Sequence, residues 1–140
     1  DEEREILHRS IQGFAKVRPV VDTAVVFRAR EVAAKLNLDS DVADYIVDLV
    51  LASRDPASVG LERLAPLIEF GGSPRATIYL ERAARSWAFL QGRAWVNPQD
   101  VKTMAPDILR HRILLSYEAE AEGLSTDDVV RELLNHVPTP

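Results

Sequence analysis

The sequence predicts a mainly α-helical chain, a compact bundle of about five to six helices with room for one short two-stranded β pairing. Three observations carry that expectation. Apolar residues recur at spacings of three and four in several segments, which places them on one face of a helix. Helix-start signals stand directly before or within the first turn of these segments, at Ser40, Ser73-Pro74, Asn97-Pro98 and Ser125. Finally, 140 residues that are 46% hydrophobic suffice to bury the core of one domain.

Taken in order, residues 2–12 read as a helix with acids in its first turn, closed by Gly13. It starts with no turn before it, as though cut from inside a larger protein. Residues 13–21 form a connector in which Arg18-Pro19 disfavours helix. Asp22 or Thr23 can cap a second helix running to about Leu36, with Val25, Ala29, Val32 and Leu36 inward. Ser40 caps a third, with Val42, Ile46, Leu49 and Val50 inward and Asp41, Asp44 and Asp48 outside. Residues 54–60 are polar and turn-rich, and 60–66 have room for a helical turn before Pro66. Leu67–Phe70 is short and apolar, so strand and buried coil both remain open.

The central helix spans about Pro74 to Gln91, with Ala76, Leu80, Ala83, Trp87 and Leu90 as its inward stripe. Asn97-Pro98 opens the next helix, and Ile113–Leu115 is a candidate strand to pair with Leu67–Phe70. Glu118–Gly123 reads as an acidic connector. Ser125 with Asp128 then opens a last helix whose inward residues are Val129, Val130, Leu133 and Leu134.

Composition narrows the function. The net charge of −5 argues against general nucleic-acid binding. Residues 75–112 nevertheless carry seven Arg/Lys against three acids, whereas 113–140 carry one Arg against six. With no cysteine there are no disulfides or thiolate metal sites, and the expected location is cytoplasmic. No apolar run approaches membrane-spanning length. His8, His111 and His136 lack ligand spacing, and the acidic stripe of the third helix does not converge on one ion, so no metal site is expected. A P-loop, a nucleophile elbow and a Ser/His/Asp triad are all missing, so this stretch of chain should catalyse nothing alone.

The chemistry that is present centres on Gly71-Gly72-Ser73-Pro74-Arg75. Two glycines permit a close backbone approach. Ser73 is a candidate N-cap, and Pro74 suits the first helical position. Arg75 then stands in the first turn, where the helix dipole favours acids by about 0.3–1 kcal/mol. A cation set against that trend makes sense if an anion lies in front of it, met by amide hydrogens, dipole and guanidinium together. On these five residues alone, a capped helix carrying a solvated Arg is the simpler reading, because short motifs match by chance. Arg75, Tyr79, Arg82 and Ser86 share one helix face, distinct from the Trp87 stripe, where a ligand or another domain would touch. Arg82 can equally be solvated or bridged to an acid.

The stretch Leu67–Ala76 resembles the sensor-2 motif in the lid domain of MoxR-type AAA+ ATPases. Further matching stretches follow the same order: Glu3–Leu7, Asp44–Val50 with Ser53-Arg54, Val96–Val101, Ala105–Arg112 and Glu120–Val130. Ser53 departs from the Thr expected there. The resemblance covers nearly the whole chain. It implies a C-terminal lid spanning residues 1–140, with 1–13 as the passage from an ATPase core and the sensor-2 motif at 71–75. It also implies that Arg75 approaches the γ-phosphate of ATP·Mg²⁺ held mainly by that core, with Gly72, Ser73, Pro74, Tyr79 and Arg82 as its surroundings. Such ATPases act as chaperone-like remodelling factors in ring oligomers, often with von Willebrand factor A-domain partners. Two other readings compete. One is a free-standing helical interaction module using the acidic stripe or the Arg75/Arg82 face. The other is a helix-turn-helix around Asn37–Ser40, which Asp41, Asp44 and Asp48 disfavour by repelling phosphates.

Overall fold

A computed structural model describes residues 2–13 and 17–140. Asp1 and residues 14–16, part of the expected 13–21 connector, lie outside the described residues. Among those described, the α-helices are α1 (Glu2–Gln12), α2 (Thr23–Ala34), α3 (Ser40–Ala52), α4 (Pro74–Leu90), α5 (Pro98–Leu109), α6 (Tyr117–Ala121) and α7 (Thr126–His136). Two 3₁₀ turns, Pro56–Val59 and Glu62–Leu67, fill the connection after α3. Strands β1 (Ile68–Phe70) and β2 (Leu114–Leu115) pair antiparallel, as the apolar runs at 67–70 and 113–115 suggest. The helix count exceeds the expected five to six partly because Ser116 caps a single short helix, α6, inside the acidic connector.

The capping chemistry is local and mostly legible. Asn97 with Asp100, and Ser125 with Asp128, both form complete capping boxes. Asp22 caps α2 by accepting from the Ala24 amide at 3.0 Å. α3 is capped by Asp39 rather than Ser40, since the Asp39 carboxylate accepts from the Asp41 amide at 3.0 Å. These caps leave a mark on acidity. The Ala24 amide holds the Asp22 carboxyl below its ordinary range, and the Ser125 hydroxyl does the same to Asp128.

α4 is the packing hub, touching α2, α3 and α5. Its buried line is Ala76, Leu80, Ala84 and Ala88, so the expected stripe through Ala83, Trp87 and Leu90 is corrected. Trp87 is half-buried and Leu90 is 72% exposed. The physical reason is helix approach: alanines let α4 lie close to its neighbours, and the bulkier ring is left at the border of the contact. The core is completed by Val42, Ile46, Leu49 and Val50 of α3, as read from their spacing, and by Val129, Val130 and Leu133 of α7. Leu134 is only half-buried.

α2 departs further from expectation. Only Ala33 within the helix, and Leu36 just after it, are buried. Val25, Val32 and Phe27 are 51%, 48% and 60% exposed, and in α1 Ile6, Leu7 and Ile11 are exposed too. The periodicity of α2 is real, but its apolar side is left about half open among the described residues. Arg85 of α4 secures the C-terminal end of α2, donating to the carbonyls of Ala34 and Leu36 and pairing with Glu81. Elsewhere the buried Asp100 takes both amino groups of Arg93, and its carboxylate holds the guanidinium above its ordinary pKa.

Candidate functional site

The site is built where α3, β1 and α4 meet. Ser53 ends α3 and is fully buried. Its hydroxyl donates to the Val50 carbonyl at 2.7 Å and accepts from the Gly72 amide at 2.8 Å. That one side chain clamps the loop leaving β1 against the end of α3. The loop comes so near that a Cβ on Gly71 would lie 2.3 Å from the Ser53 carbonyl oxygen and 2.7 Å from the Arg54 nitrogen. A Cβ on Gly72 would meet Ala76, Ser53 and Val50 at 3.2–3.4 Å. The two glycines are therefore used for close approach, not for a left-handed turn.

From this clamp Ser73 and Pro74 launch α4, with Ser73 in extended geometry at φ −72°, ψ 167° and Pro74 in the first turn. The Ser73 hydroxyl makes no capping hydrogen bond, which corrects the expectation for that side chain. The reason is a tightened first turn: the Ala76 amide goes to the Ser73 carbonyl at 2.7 Å instead. Arg75 projects from this turn into solvent and takes part in no ion pair or side-chain hydrogen bond among the described residues.

The other predicted residues divide along the face. Gly72 is buried, with its amide committed to Ser53. Ser73 and Pro74 are exposed beside Arg75. Tyr79, one turn further on, is 44% exposed and carries the Arg112 guanidinium over its ring, with Cζ 4.7 Å from the centroid. Arg82 and Ser86 continue on the exposed side but reach a different feature. They line a cleft of about 510 Å³ between α2 and α4, with Arg30, Ala33, Ala34, Glu81 and Arg85. The Ser86 hydroxyl is turned back onto the Arg82 carbonyl at 2.8 Å.

Sequence reasoning passed over Ser53 and Arg112 as parts of this site. Both lie in stretches already singled out, but a buried clamp and a stacked guanidinium join residues 19 and 33 positions apart, which periodicity cannot pair. Among the described residues no group of three or more His, Asp or Glu side chains could hold a metal ion. No helix is long and apolar enough to cross a membrane.

A mainly helical bundle with one small antiparallel strand pair has the fold of a AAA+ lid. Residues 61–133 match the AAA lid domain family, and the chain belongs to it. Its relatives make the type MoxR. The chain is 37% identical over its full length to the chaperone MoxR1 of Mycobacterium tuberculosis, covering 37% of that protein. It is 32% identical over 111 residues to the MoxR protein of Methylorubrum extorquens, a match covering 75% of this chain and 32% of that one. A Cytophaga hutchinsonii protein to which ATPase activity is ascribed shares the fold in its crystal structure. The TM-score is 0.85 at 39% identity, over 99% of this chain and 42% of that one. The chain thus spans well under half the length of each.

Proposed function

We propose that this chain is the nucleotide-sensing lid of a MoxR-type ATPase, in which Arg75 contacts the γ-phosphate of ATP and couples its loss to lid movement. One observation carries the reading: a guanidinium rooted in a clamped helix start, facing solvent, with no counter-ion among the described residues. A residue so placed loses nothing internal when it binds an external anion. The surroundings fit a phosphate, since the first turn of α4 has no side-chain cap and the dipole favours negative charge there. Bound ATP would supply the phosphoryl charge; Arg75 supplies a bidentate, permanently charged donor that stabilises it, with Ser73, Pro74 and Tyr79 around it and Gly72 fixing the launch angle, while Arg82 lies two turns on at the α2–α4 cleft. Mg²⁺ would be held by an ATPase core.

Release of one such charge-assisted contact changes a domain equilibrium by about 1.5–3 kcal/mol, enough to shift populations tenfold or more. The half-open apolar side of α2 supports packing against that core, with residues 1–13 as the passage from it. The whole protein would then be a cytoplasmic ring oligomer engaged in chaperone-like remodelling, open to a von Willebrand factor A-domain partner. The test is Arg75→Ala in the full-length protein: ATP hydrolysis should fall by at least about tenfold while the domain keeps its helical content and melting temperature. Wild-type turnover would remove Arg75 from the mechanism and favour an interaction module instead.

A further inference from the structure

Arg112 is placed with unusual care for a residue without an ionic partner. Its amide donates to the Leu109 carbonyl at 2.8 Å, and buried Ile113 beside it does the same at 3.0 Å, so both flanks are anchored. Its neighbour Arg110 pairs with Asp107 and Asp127. Arg112 pairs with no acid among the described residues; it lies on Tyr79 instead, and its Nε is buried without a hydrogen-bond partner there. The strand register explains why it arrives at this end of the bundle. Leu114 pairs with Phe70, the residue directly before Gly71, so the turn carrying Arg112 is stitched to the loop that launches α4.

Helical side chains lean toward the N-terminus, so the Tyr79 ring covers the turn that holds Arg75. A cation over an aromatic face is held by the ring's quadrupole, and arginine carries its N–H donors in a single plane suited to phosphate. Arg112, seated over Tyr79, is thus held about one turn along α4 from Arg75, a spacing that a chain of phosphates spans.

We propose that Arg112 is a second phosphate-contacting cation of the nucleotide site, recognising the polyphosphate chain, with Tyr79 as its positioning residue. This deepens the reading of Arg75 and rests on it. The test is equilibrium binding of a non-hydrolysable ATP analogue and of AMP to the full-length protein. Arg112→Gln should weaken the ATP analogue by about tenfold and AMP much less, collapsing the ratio between them. Tyr79→Leu should lower the same ratio by a smaller factor, with Arg112 still present, and serves if Arg112→Gln does not fold. A merely structural role would lower the melting temperature and weaken both ligands together. An unchanged ratio, or an equal loss for both ligands, overturns the proposal. If Arg75→Ala lowers hydrolysis while the Arg112 and Tyr79 variants keep the ratio, only this inference fails. If Arg75→Ala hydrolyses ATP normally, the nucleotide-sensing reading itself is gone.

Discussion

Replacing Gly71 by Ala tests the clamp on which the site depends. The added carbon would sit 2.3 Å from the Ser53 carbonyl oxygen, 2.5 Å from its carbon and 2.7 Å from the Arg54 nitrogen. All three are backbone atoms, so no flexible side-chain end can swing aside. Restoring an ordinary contact of 3.4 Å to the oxygen means separating the loop and the end of α3 by about 1.1 Å. The Ser53–Gly72 hydrogen bond, 2.8 Å and buried, cannot survive that displacement intact. Overpacking costs about 1–3 kcal/mol, and a buried donor left unpaired costs about 1–3 kcal/mol more. A loss of roughly 2–6 kcal/mol follows, read as a lower urea midpoint at unchanged slope. Gly92→Ala is the control. Gly92 has φ +70° with nothing within 4 Å of a new Cβ, so it incurs only the left-handed backbone penalty of about 1–2 kcal/mol. If Gly71→Ala costs no more than Gly92→Ala, the close-approach argument is wrong.

Two further outcomes can be checked on the same domain. Ser53→Ala leaves the Gly72 amide buried without its acceptor and should destabilise by about 1–3 kcal/mol in urea titration, whereas Ser53→Thr retains the hydroxyl and should lose less. Acid should destabilise in a defined window. The carboxyls of Asp22 and Asp128 lie below their ordinary 3.8 when folded, so their stabilisation is complete above that value. It is lost as pH falls through the folded values. Melting temperature followed from pH 7 downward should therefore drop most steeply below about 4. Asp128→Asn should flatten part of that drop; an unchanged profile would show that the cap does not titrate as described.

How far the fold was legible depended on whether its cause was local. Asn97, Ser125 and the α3 core residues were readable because a cap needs only its own first turn, and an inward face only its own period. α2 shows the limit. Its spacing correctly gives a helix, but Val25 and Val32 lie open because periodicity reports an apolar face without naming what covers it. Trp87 fails for a related reason: several α4 faces carry apolar residues, and only the closeness of α5 and α2 selects the alanine line.

By itself, then, the sequence determined where α2, α4, α5 and α7 begin, that a glycine pair precedes the central one, and that an arginine stands in its first turn, because these follow from chemistry within a few residues. Tertiary structure alone decided that Ser53 holds the glycine loop, that Arg112 rides on Tyr79 and that Arg75 is left facing solvent. Those outcomes depend on which distant atoms share a few ångströms of space, and packing settles that only once α3, α4 and the strand pair have come together.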